Sequence, residues 1–98
     1  MTKLEAIIYA IGKLDEMPRE GVVSCVNLHD CSQNFVDGYQ ICRINILGTN
    51  ALYLSKKVAN DNVGNIMIQI HRDDYDIHQL AVIIDTAYSM HSKRHKDE

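Results

Sequence analysis

Cys25, His29 and Cys31 carry metal-capable side chains in one short segment, at a Cys-x3-His-x-Cys spacing. Thiolates and an imidazole suit tetrahedral zinc, but this spacing matches no standard zinc pattern, and a fourth ligand would have to come from His71, Cys42 or a carboxylate. The expectation is no metal, with the cysteines packed as small apolar groups beside a surface histidine. Ser24, His29 and Asp30 are the residue types of a hydrolytic triad. On a strand, Ser24 and His29 have opposite parity and do not meet. Cys25 and His29 share parity but would stand ~13 Å apart, too far for a nucleophile–base hydrogen bond. Asp73, Asp74 and Asp76 begin like a calcium loop, but no glycine follows at its sixth position and no glutamate at its twelfth. They read instead as acids at a helix start. His91 and His95 sit one helical turn apart in a charge-rich tail. Gly48-Thr49-Asn50 and Val63-Gly64-Asn65 lack the glycine spacing and the lysine of a phosphate cradle. The chain is therefore expected to have no catalytic residues, no metal and no cofactor, and not to be an enzyme.

The elements that would position these residues follow from pattern and punctuation. Thr2 and Glu5 form a Thr-x-x-Glu capping box. Leu4, Ile7, Ile8, Ile11 and Leu14 then recur at helical spacing, so a helix is predicted over 2–15, stopped by Pro18. Gly21 opens a strand over 22–29. Asp37-Gly38 marks the turn into a second strand over 39–47. Gly48-Thr49-Asn50 reads as a three-residue hairpin loop. The segment 51–58 alternates as a strand, although its Ala, Leu and Lys content suits a helix equally well. Residues 60–64 read as a loop. The segment 65–72 alternates Ile66, Ile68 and Ile70 with polar residues. Asp73 to Asp76, with Asp76 and Gln79 as a second capping box, open a last helix running to His91, and 92–98 is a charged, frayed tail. The predicted fold is α+β: a two-layer sandwich in the order α-β-β-β-β-α. An antiparallel four-stranded meander carries the N- and C-terminal helices on one face. The expected core face of the sheet is Val22/Val26/Leu28, Cys42/Ile44/Ile46, Leu52/Leu54/Val58 and Ile66/Ile68/Ile70.

Composition bounds the function. The chain has 98 residues, 46% of them hydrophobic and 23% charged, and a net charge of -3. That is one globular domain, without the basic coat of a general nucleic-acid or membrane binder. No stretch approaches the ~20 apolar residues of a membrane span. Without a secretory signal the expectation is a cytoplasmic protein with reduced thiols, a Cys25–Cys42 disulfide between neighbouring strands being the alternative. The register predicted above leaves one sheet face uncovered. It carries Asn27, His29, Arg43, Asn45, Tyr53, Ser55, Lys57, Asn65, Gln69 and His71, groups that recognise a partner by hydrogen bonds and stacking. The reading is a small non-enzymatic module that inhibits or neutralises a protein partner through that face. Bacterial and phage accessory proteins have this profile, among them inhibitors of host or defence complexes, such as anti-CRISPR proteins, and toxin-immunity proteins. Two alternatives remain: a single-stranded nucleic-acid binder using Arg43, Tyr53 and Lys57, and a small metal-dependent enzyme. The last helix is apolar beyond one stripe, which suits packing against both the sheet and the first helix, with a homodimer through that helix as the alternative.

Overall fold

A computed structural model describes residues 1–17 and 23–96, with the side chains of Asn62 and 94–96 outside that description. Helix α1 (Lys3–Glu16) begins on the predicted capping box. The Thr2 hydroxyl accepts from the Glu5 N–H at 3.1 Å, and the Thr2 N–H donates to the Glu5 carboxylate at 3.0 Å. Ala6, Ile7, Ala10, Ile11 and Leu14 are fully buried. The expected stop at Pro18, the strand opening at Gly21 and the core position of Val22 lie outside the described residues.

The chain continues as β1 (Val23–Asn27), a short helix α2 (Leu28–Cys31), β2 (Tyr39–Ile46), β3 (Thr49–Val58), β4 (Asp61–His71), a 3-10 turn (Arg72–Asp74) and α3 (Ile77–Lys96). The four strands form one antiparallel sheet in the order β1-β2-β3-β4, an α+β arrangement as predicted. Helices α1 and α3 pack on each other and on one side of the sheet. Their apolar stripes close the core over Ile41, Leu52, Leu54 and Ile70. The segment 51–58, read as a strand despite a composition that also suits a helix, is a strand.

Several boundaries differ from the sequence reading. The first strand ends at Asn27, because the Asn27 side chain accepts from the His29 N–H at 3.0 Å and starts α2. His29 is therefore helical. The β2–β3 loop is the pair Leu47–Gly48, closed by Ile46 opposite Thr49. Both central residues have positive φ, 52° and 80°, as a type I′ hairpin turn requires. β4 starts at Asp61, because the turn is only Ala59–Asn60 and the strand absorbs Gly64. The predicted tail is helical through Lys96; Asp97 and Glu98 lie outside the described residues.

The largest correction concerns β2. The expected core parity, Cys42/Ile44/Ile46, faces away from the helices, while Tyr39, Ile41 and Arg43 face them. Both parities of this strand are rich in apolar groups, so alternation alone could not choose. Three contacts decide it. Tyr39 packs edge-on against Tyr88 of α3, with ring centroids 4.9 Å apart. Cys42 lies directly opposite Cys25. Arg43 sits under the end of α1, where Nη1 donates to the Leu14 carbonyl at 3.3 Å and Nε donates to Asn50 Oδ1 at 2.9 Å. A guanidinium suits the unpaired carbonyls and negative dipole of a helix C-terminus. A smaller shift affects β4. A bulge pairs Leu54 with Ile68 but Ser55 with Ile66, leaving Met67 as the extra residue. Ile68 and Ile70 stay in the core, and the expected core residue Ile66 turns outward. On β3 the expected core residue Val58 is exposed, beyond a second register shift.

Candidate partner-binding face

The face of the sheet away from the helices has two unlike halves. Along β3, register shifts between Leu54 and Ser55 and between Lys56 and Val58 bend the long β3–β4 hairpin. Gly64, at φ 80°, permits the bend: a Cβ there would collide with the Lys56 carbonyl. The hairpin end thereby folds over the outer face, until Cα atoms of β1 and β4 come within 8 Å although two strands separate them. The Gln40 amide spans the gap, donating to the Val63 carbonyl at 3.0 Å and to Ser55 Oγ at 3.4 Å. Ser55 Oγ also lies 3.7 Å from Cys42 Sγ. This half is a polar cleft of about 570 Å³, with Cys25, Asn27, Asp30, Gln40, Lys57, Asn60 and Asp61 among its lining residues.

The half nearer the β2–β3 turn is apolar and uncovered. Val23 lies opposite Ile44 on it, Ile46 follows, and Leu47 projects from the turn. Ile46 is 50% exposed and Leu47 is 92% exposed. Tyr53, Gln69 and His71 border this strip, since Tyr53 pairs with Gln69 and Ala51 with His71. The result is an apolar centre with a rim of phenol, amide and imidazole, which is the anatomy of a protein interface.

Of the ten residues expected on this face, the structure brings Asn27, Tyr53, Ser55, Gln69 and His71 together on it, with Ser55 buried. Lys57 is exposed at the cleft rim. The other four are placed elsewhere. Arg43 is buried in the helix-facing layer at 1% exposure. Asn45 shares its parity and pairs with Asn50. His29 sits in α2, where Nδ1–H donates to the Phe35 carbonyl at 2.8 Å. Asn65, displaced by the bulge, lines a separate cavity of about 400 Å³ with Lys56 and His91. Sequence reasoning missed Ile44, Ile46 and Leu47 as surface residues. One signal was available: Leu47 precedes Gly48, and a two-residue loop there would have put the leucine at the tip.

The cysteines are also corrected. Cys25 and Cys42 form a disulfide between β1 and β2, with Cα atoms 4.1 Å apart, instead of remaining reduced. The reading of Cys42 as pointing away from Cys25 fails with the β2 parity. Cys31 is the free thiol, and burial, then the nearby Asp30 carboxylate, raise its pKa. Among the described residues no group of three His, Cys, Asp or Glu side chains is placed to hold a metal ion. Of the acids before α3, Asp76 caps the helix as expected: its Oδ1 accepts from the Gln79 N–H at 2.8 Å, and its N–H donates to the Gln79 side chain at 3.0 Å, while Asp73 and Asp74 lie in the 3-10 turn. No described helix is long and apolar enough to cross a membrane. No family model, no curated protein and no solved structure matches this chain.

Proposed function

We propose that the protein is a non-enzymatic binding module that docks a protein partner on its outer sheet face and thereby blocks or neutralises it, in the manner of a small bacterial or phage accessory protein. The supporting observation is the apolar strip of Ile44, Ile46 and Leu47, which the fold leaves outside its core. Leu47 carries the most weight. It stands at a turn position with positive φ, where Asn, Asp or Gly is favoured, and it exposes its whole side chain. The positive φ costs stability, and the exposed side chain suits an anchor that fills a partner's pocket. Tyr53, Gln69 and His71 supply the hydrogen-bonding rim. The nucleic-acid reading has lost Arg43 to the core, which leaves Lys57 as the basic group expected on this face. The enzyme reading has lost the Cys25 thiolate to the disulfide.

The test is affinity capture from a native-host lysate treated with nuclease, comparing the wild type with Leu47→Asn and with Tyr53→Ala/Gln69→Ala. A stoichiometric protein retained by the wild type and lost by both variants is expected, with thermal midpoints unchanged or raised for Leu47→Asn. Capture that survives both variants would remove this face from the reading.

A further inference from the structure

The helix layer carries a second uncovered surface with a charge pattern of its own. Along α3, Leu80, Ala81, Ile84 and Tyr88 are buried. The opposite side presents Gln79, Val82, Thr86, Ser89, Met90 and Lys93, all exposed, and Ile83 at its edge. Val82 is 53% exposed and Met90 is 68% exposed. Between Gln79 and Met90 this side bears no charge.

The two ends of the layer are charged oppositely. Helix α1 runs antiparallel to α3: Lys3 Nζ lies 5.4 Å from the centroid of the Tyr88 ring, and Asp15 pairs with Arg72 at 3.0 Å. The end holding the C-terminus of α1 and the N-terminus of α3 therefore gathers Glu16, Asp73, Asp74 and Asp76, which outnumber Lys13. The other end gathers Lys3 and Lys93, with Glu5 held in the α1 capping box. Two such layers laid side by side in the same direction would set acid against acid and base against base. Laid in opposite directions they set acid against base at both ends.

We propose that α3 pairs with α3 of a second copy of this chain, antiparallel, about a two-fold axis at Thr86. The face has the symmetry this needs. Positions equidistant from 86 lie at mirror-related angles on the helix, so Val82 of one copy meets Met90 of the other, and Gln79 meets Lys93. The apolar pairs at the centre supply cohesion and the charged ends select the direction. A single helix pair is a small interface, so the dimer is weak and concentration-dependent. This surface is separate from the outer sheet face and does not rest on its role.

Two measurements test it. Sedimentation equilibrium from micromolar to millimolar protein should show a monomer–dimer equilibrium, weakened about tenfold or more by Val82→Lys. Leu47→Asn should leave it unchanged. The pairing is then read by oxidative cross-linking in a Cys31→Ser background. Thr86→Cys should cross-link to itself. Gln79→Cys should not, but should cross-link to Lys93→Cys when the two are mixed. A monomer throughout the concentration range would overturn the proposal. So would Gln79→Cys cross-linking to itself, which signifies parallel helices. A dimer that Val82→Lys leaves intact would also do so, because it must use another surface.

Discussion

Arg43 was read as a surface recognition group, and its position under α1 makes it a structural one. Its guanidinium ties β2 to the last turn of α1 and to Asn50. Truncation would remove both bonds and leave a cavity, so Arg43→Ala should cost about 3 kcal/mol. For a domain of this size that lowers the thermal midpoint by about 12–24 °C. Leu47 predicts the opposite sign. Asn tolerates positive φ better than Leu, and no buried contact is lost, so Leu47→Asn should stabilise by roughly 0.5–1 kcal/mol. Measuring both midpoints by differential scanning calorimetry checks the assignment: one residue placed inside and the other outside, against their chemical types. Neither placement follows from residue type. Arginine is rarely buried and leucine rarely stands alone in a turn, so local preference pointed the wrong way at both positions.

At the scale of elements, β1 is a short edge strand that the Cys25–Cys42 bridge ties to β2. The bridge closes a loop of 17 residues in sequence separation, which in the chain-entropy picture contributes about 3 kcal/mol. Cys25→Ser/Cys42→Ser should lose about that much in a denaturant titration. Thiol counting gives a direct check. Unreduced, unfolded protein should alkylate at Cys31 alone, and reduction should expose Cys25 and Cys42 as well. The β3–β4 hairpin depends on Gly64 for its fold across the outer face. Gly64→Ala forces a clash with the Lys56 backbone and should cost roughly 1–3 kcal/mol. It should also open the polar cleft, read as faster exchange of the Gln40 side-chain amide that donates to the Val63 carbonyl. The existence and order of α1, β1, β2, β3, β4 and α3 were legible, because capping boxes and alternation are local signals. The bulge at Met67 was not legible. Its extra residue is unpaired in the ladder, and nothing in Asn65 to Arg72 breaks the alternation in sequence.

For the whole molecule, pH acts through different groups at the two extremes. The Glu5 carboxylate accepts from Thr2 in the capping box, which lowers its pKa. Its contribution is present above the ordinary glutamate range and is lost as pH falls through the lowered value. Burial raises the Tyr39 phenol and the Cys31 thiol, the latter with help from Asp30. Their contributions are complete below the ordinary values and are lost as pH rises through the raised ones. A stability–pH profile should therefore fall at both ends, and Glu5→Gln should flatten the acid limb only.

Composition, periodicity and caps, all read within a few residues of sequence, were enough to determine an α+β chain with an antiparallel meander between two amphipathic helices. Tertiary structure decided which side of β2 faces the helices, which cysteines meet, and which half of the outer face stays apolar. Those choices depend on contacts between residues far apart in the chain, such as Arg43 with Leu14, Cys42 with Cys25 and Tyr39 with Tyr88. A strand with apolar groups on both parities has no local preference to settle them.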